Sequence, residues 1–376
     1  MRGWKSRRWA ALFAIAGAAV ALAGQAAASD GSKPPSLQFL GQAIVPTGYT
    51  FAGTTVGGLS SITYDAARGV FYSLSDDQSQ FAPARFYTLR VDVTHQPFGN
   101  GSVQFQGVTT LLAPDGQPYA PFSLDPEGLT LTKDDRLVVT SEGIATRNIP
   151  AFARLYALDG TFAGELALPS AFAPNGGVGH GIRQNLTLEA AAVAPNGRTL
   201  FLGMEAALIQ DGPAASLTTG SPSRILRYNL LTGRLDRQYV YMTDPIAQAP
   251  VPATAFAVSG LVELLPFNDE FMLSMERSFS VGAPTLGHTG NTIKLYSVAI
   301  PGADNIDGAD SIVGLNAQPL QKTLLLNLDA LGIPLDNVEG MTIGPPLPDG
   351  RRSLVLVSDN NFAPSQFTQF LLFALD

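Results

Sequence analysis

Five times along this chain an apolar run, a turn and a second apolar run recur, and each time polar residues gather at the open end. The stretches are "GLSSITYDAARGVFYSLSDD" (58–77), "EGLTLTKDDRLVVTSEG" (127–143), "EAAAVAPNGRTLFLGMEA" (189–206), "SGLVELLPFNDEFMLSMERS" (259–278) and "DNVEGMTIGPPLPDGRRSLVLVSDNNF" (336–362). Counting from Gly58, Glu127, Glu189, Ser259 and Glu339, the copies begin 69, 62, 70 and 80 residues apart. A repeat of that length holds about four short strands, the size of one propeller blade. The midpoints are "AARG" (66–69), "KDDR" (133–136), "PNGR" (195–198), "FNDE" (267–270) and "PDGR" (348–351), rich in the residues that fit tight turns. Residues equidistant from a hairpin turn face each other. This pairs Gly58 with Asp76, Glu127 with Glu142, Glu189 with Glu205, Ser259 with Glu276, and Glu339 with Asp359.

Two further strand-like segments follow each of the first four hairpins, for example 85–93 and 105–113, or 223–233 and 237–242. The fifth is followed only by "TQFLLFALD" (368–376), whereas "SLQFLGQAIV" (36–45) near the other end has no repeat of its own. Placing 36–45 as the outer strand of the last blade closes the ring and removes an exposed edge. The expected fold is therefore all-β: a single β-propeller of five four-stranded blades, closed by the N-terminal strand. Six blades is the alternative if the N-terminal region forms a degenerate blade.

Arg2, Lys5, Arg7 and Arg8 precede an apolar stretch from Trp9 to about Ala23 and the small residues Ala26-Ala27-Ala28. That is the pattern of a cleaved export signal over 1–28, of the general secretory kind or, through the loose match of "SRRWAAL", the twin-arginine kind, leaving 29–376 as one domain in the periplasm or secreted. The apolar stretch is short for a membrane span, so no membrane insertion is expected. Without its four basic residues the chain moves from a net charge of −8 to about −12. An acidic chain without basic patches is a poor partner for nucleic acid and a good one for divalent cations. With no cysteine, disulfides and a lipidated cysteine are excluded.

In a propeller the first strand of every blade lines the channel and all blades point the same way. Asp76, Asp77, Glu127, Glu142, Glu189, Glu205, Glu276, Glu339 and Asp359 are thus expected at one mouth, with Asn360, Asn361, Asn185, Arg183, Arg277 and Lys294 nearby. So many carboxylates repel one another unless cations intervene, and an all-oxygen set suits calcium ahead of magnesium. The competing reading is structural: a Glu at a strand start can bond the backbone of the next blade and only hold the ring together. "DNIDGAD" (304–310) lacks EF-hand spacing and reads as a solvated loop. His180 lies close to Arg183 in "GHGIRQN", while His95 and His288 read as surface residues. There is no G-x-S-x-G, H-E-x-x-H or P-loop motif.

The segments "DPEGLTL", "LEAAAVAPNGRTLFLGMEAAL", "RILRYNLLTGR" and "GIPLDNVEGMTIGPPLPDGRRSLVLVSDNNF" resemble the phytase-like domain family, proteins with esterase-like activity of phytase, over roughly 37–376. The resemblance implies an exported β-propeller that hydrolyses phosphate or related esters of small molecules with bound Ca2+; the chain is expected to act as a monomer. Glu127, Glu189 and Glu339, with Arg183 and Arg277, are the expected catalytic set. Asp76, Asp77, Glu142, Glu205, Glu276 and Asp359 are the expected metal ligands. The rival expectation is a non-catalytic propeller that binds a ligand or protein at the same mouth, and a third is a sugar-lactone hydrolase with one deep calcium site.

Overall fold

The turn-punctuated apolar runs form five four-stranded antiparallel sheets in a computed structural model that describes residues 35–94 and 97–376. The expected export signal and His95 lie outside the described residues. Blade 1 runs outward through Leu59–Asp65, Val70–Ser75, Arg85–Val91 and Val103–Thr110. Blade 2 comprises Pro126–Leu131, Arg136–Ser141, Phe152–Ala157 and Phe162–Leu166, and blade 3 Leu188–Val193, Thr199–Met204, Pro222–Asn229 and Arg234–Met242. Ala257–Pro266, Phe271–Ser280, Asn291–Ala299 and Gln321–Asn327 make blade 4. Asn337–Ile343, Arg352–Asp359 and Thr368–Leu375 make most of blade 5, and Leu37–Val45 completes it by pairing antiparallel with Thr368–Leu375. Each inner strand packs beside that of the next blade, including the fifth against the first. Five blades, with this closure, settle the blade count.

Five apolar clusters fill the five gaps between blades, which explains why the strands read as nearly continuous hydrophobic runs. Between blades 5 and 1, for instance, Leu59, Ile62 and Phe71 pack on Val355, Val357 and Phe370; between blades 3 and 4, Phe201, Ile225 and Tyr241 pack on Leu261, Leu264 and Met272. Each such side chain contributes about 1.5–3 kcal/mol of burial. Charged residues are consequently few, and those buried inside the blades, such as Arg85 and Arg224, are paired with an aspartate. Among the described residues the only helical pieces are short 3-10 turns, and no helix is long and apolar enough to cross a membrane.

The channel is not a pore. Ser61 Oγ of blade 1 donates to Glu263 Oε2 of blade 4 at 3.2 Å, a bond between non-adjacent blades across the axis. At one end beyond this waist the inner strands border a small cavity with mainly apolar residues, among them Val193, Leu131 and Ile343. The polar residues gather at the other end.

Candidate functional site

Every inner hairpin carries a β-bulge near that polar end. The extra residue is Ser60 in blade 1, Glu189 in blade 3, Val262 in blade 4 and Glu339 in blade 5, while in blade 2 Glu127 and Gly128 together oppose Thr140. A bulge breaks the alternation of side chains and re-aims one of them. Here three of the five bulges deliver a glutamate to the channel mouth. The residue after the glutamate is small because the neighbouring blade is close: a Cβ on Gly128 would come within 2.5 Å of Glu189 O. The bulges also correct the expected facing pairs. Asp359 faces Asn337 rather than Glu339, Glu276 faces Leu261 rather than Ser259, and Glu205 N bonds Thr187 O.

Asp76, Asp125, Glu127, Glu189, Glu205, Glu339 and Asp359 line a single open cavity of about 750 Å³, with Asn185, Asn337 and Asn361 beside them. Glu142 sits just behind, fully buried. Two triads, Asp125-Glu127-Glu142 and Glu142-Glu189-Glu205, each offer carboxylate oxygens within 4.8 Å of one another. Glu142 belongs to both. One of its oxygens accepts the Thr187 N–H; the other, Oε2, has no hydrogen-bond partner, and neither has Asp125 Oδ2. Glu205 Oε1 has only an ion pair with Arg277 at 3.4 Å. Buried carboxylate oxygens without donors are costly.

Burial, reinforced by neighbouring carboxylates, holds Asp76, Glu127, Glu142 and Glu189 well above the ordinary range. Burial pushes Asp125 up to about 7 against a bond from Gln78, and Glu205 up to about 7 against the pull of Arg277. Asp359 rises to about 8 through burial and the nearby Glu339. Asp76 has its own niche: its Oδ1 sits 1.9 Å from where a Cβ on Gly58 would be, and Gly58 adopts φ +63°. Only glycine fits both conditions.

Arg277 Nη2 donates to Glu339 Oε1 at 2.8 Å, so the guanidinium bridges Glu205 and Glu339. Among the described residues it is the one Lys or Arg lining the cavity.

Other expected members lie elsewhere. Glu276 points away from the cavity into a polar network, accepting from Tyr241 Oη, Asp244 N and Lys322 Nζ. Lys294 joins that network through Asp244 at 2.7 Å, and although burial pushes Asp244 up, Lys294 and Lys322 hold it below its usual range. Arg183 donates to the carbonyls of Ala207 and Gly212 and clamps a blade 3 loop. His180 pairs with Asp310 on the surface, His288 occupies a 3-10 turn, and Asn360 bonds Gly58 N and Phe362 N. The 304–310 loop is docked: the Ala309 carbonyl accepts from the buried Arg224, and Asp307 accepts from Gln238.

Asp77 touches the cavity wall, but its oxygens are committed. They accept the N–H groups of Gln80, Phe81 and Ala82 and, at 2.7 Å, Nη1 of the buried Arg85. Asp77→Ala strands that guanidinium and is expected to cost about 3–5 kcal/mol of stability, read by chemical denaturation, with calcium affinity unchanged.

Sequence reasoning missed Asp125 and Glu263. Asp125 had a signal: two residues before each bulged glutamate stands a polar residue, Asp125, Thr187 or Asn337. Glu263 had none, since a lone Glu in "LVELL" gives no hint that it crosses an axis.

A closed ring of five blades with a carboxylate cup at one end defines a β-propeller whose site is axial. The chain belongs to the phytase-like family, described as having the esterase-like activity of phytase, whose model matches residues 54–362. That membership makes it a hydrolase-like propeller. No curated protein matches the chain in sequence. Among solved structures, the Dos1 propeller is similar over 86% of this chain and 69% of that chain, at 7% identity and a TM-score of 0.36. The Pseudomonas aeruginosa periplasmic gluconolactonase PpgL is similar over 86% of each chain, at 13% identity and a TM-score of 0.35. U3-55K is similar over 90% of this chain and 99% of that chain, at 9% identity and a TM-score of 0.37.

Proposed function

We propose that this protein is an exported, calcium-dependent hydrolase of phosphate esters, working in the periplasm or outside the cell. The observation that supports it most is the Asp125-Glu127-Glu142 triad, whose convergent buried oxygens include two without any donor. A donor set of carboxylates alone, in irregular bulged backbone, fits a hard cation with flexible coordination. Asp125, Glu127 and Glu142 would hold calcium, and Glu205 extends the set through the shared Glu142. When bound, calcium supplies positive charge for an anionic ester and eases proton loss from an adjacent water. Glu189 and Glu339, at the cavity wall, would accept a proton from a water in the cup. Arg277 orients the substrate's anionic oxygen while Glu205 and Glu339 hold its guanidinium in place.

Nitrophenyl phosphate, bis-nitrophenyl phosphate and nitrophenyl acetate, assayed with calcium and after chelation, test this reading. Turnover of a phosphate ester is expected to fall at least about 100-fold on chelation. Absence of calcium-dependent turnover of either phosphate ester overturns it.

One observation favours a second reading, a non-catalytic propeller that binds a ligand at the cup: Arg277 is already engaged by two glutamates. Its signature is a calcium-raised melting temperature without turnover.

A further inference from the structure

The cup is acidic, yet its rim is aromatic. Phe81, Phe256, Phe279 and Phe362 line the same cavity, and Phe81 and Phe256 are 65% and 64% exposed. Phe81 and Phe362 form a ring pair with centroids 4.6 Å apart and planes at 31°.

This pair is held in position on both sides. Phe362 follows Asn361 in the left-handed region, at φ +52° and +45°, a conformation that non-glycine residues rarely adopt twice running. Asn360 Oδ1 holds the turn by accepting the N–H groups of Phe362 and Gly58. The Phe362 ring lies on bare backbone, within 2.8 Å of where a Cβ on Gly57 would be and 2.9 Å of one on Gly58. Asp77 fixes the loop that presents Phe81 by accepting three consecutive N–H groups. Strained backbone of this kind clusters at ligand clamps. A ring that only filled core would need neither the strain nor an exposed partner.

The charge balance narrows the ligand further. Eight carboxylates line the cavity against one arginine, and that arginine is engaged. A polyanion would meet little positive charge beyond that of the proposed calcium, whereas a singly charged group needs little. The volume of about 750 Å³ suits a small molecule with a ring.

Resting on the phosphate-ester reading, we infer that the substrate is a singly charged phosphodiester bearing an aryl or comparably flat apolar group, which seats against Phe81 and Phe362. Phe81 is then a specificity-determining residue. It does no chemistry, and its exposure makes it replaceable without loss of fold.

Calorimetric titration of the calcium-loaded protein separates the contributions of ring and charge. The ligands are methyl phenyl phosphate (one charge, one ring), dimethyl phosphate (one charge, no ring) and phenyl phosphate (a dianion with one ring). Methyl phenyl phosphate is expected to bind about tenfold more tightly than dimethyl phosphate and at least as tightly as phenyl phosphate. Phe81→Ala is expected to erase the tenfold preference and Phe81→Trp to keep it. The inference is overturned if methyl phenyl phosphate fails to bind, if dimethyl phosphate matches it, if the dianion binds more tightly, or if Phe81→Ala leaves the preference intact. Ring-selective binding without turnover would instead overturn the hydrolase reading, and the ring and charge selectivity would then belong to a bound ligand and not to a substrate.

Discussion

Glu142→Gln is expected to weaken calcium binding by about 100-fold or more while raising the melting temperature of the metal-free protein. The two effects have one cause. Glu142 is the carboxylate shared by both triads, and its Oε2 lies buried with no donor. An amide there still accepts the Thr187 N–H through its oxygen, and its NH2 group supplies a donor among acceptors. Where the Glu142 carboxyl is ionised, replacing its buried unsatisfied oxygen is worth about 1–3 kcal/mol to the empty protein, so the melts are compared at a pH above its raised titration range. The same change deletes the ligand that both triads need. A merely structural glutamate would show the opposite pattern, losing stability on substitution with no effect on calcium. Calorimetry and thermal melts of the two proteins, with and without chelator, read both quantities.

The second large effect is an inverted dependence of stability on pH. Asp125 and Glu205 are raised to about 7 and Asp359 to about 8, with Asp76, Glu127, Glu142 and Glu189 held higher than their ordinary range by burial and mutual repulsion. Their unfolded counterparts titrate near 4, so between about pH 4 and pH 8 the folded protein carries more protons than the unfolded chain. The stabilisation from these groups is complete below the unfolded pKa values and is lost as pH rises through the folded ones. The metal-free protein should therefore melt lower at pH 8 than at pH 5.5, by about 5 °C or more. Calcium competes with those protons, so its addition should raise the pH 8 melting temperature more than the pH 5.5 one. A flat profile, or one that rises with pH in chelator, would mean that the cup carboxylates are satisfied by groups other than protons and cations.

Much of the architecture was legible in the repeat. The five hairpins have symmetric turns, and the unpaired segments 36–45 and 368–376 had to meet for the ring to close, as Leu37–Val45 and Thr368–Leu375 do. The location of the mouth followed from the same symmetry, because residues at the open ends of inner hairpins share one face. What symmetry could not supply was the side-chain direction of each residue. A bulge at Glu339 moves Asp359 opposite Asn337, and a separate bulge at Val262 leaves Glu276 opposite Leu261, turned away from the axis to meet Lys322 and Tyr241. Sequence spacing also cannot distinguish an acid that caps a loop from one that faces a cavity. Asp76 and Asp77 are neighbours, yet Asp77 is saturated by backbone N–H groups and Arg85. Arg183 shows the converse for a cation, spent on the carbonyls of Ala207 and Gly212. Aromatic residues in "DNNF" and "DDQSQF" drew no notice, since neither loop has a periodic pattern, and only the fold brings Phe362 against Phe81.

On this account, carboxyls at one end of the channel hold protons in exchange for a cation. Titrating the chelator-stripped protein with calcium at pH 6.5 in two buffers of different ionisation enthalpy counts the protons released per ion bound. Binding with a dissociation constant below about 1 mM and release of at least one proton per ion is the expected result. Calcium that fails to bind, or that binds while displacing no protons, would contradict it.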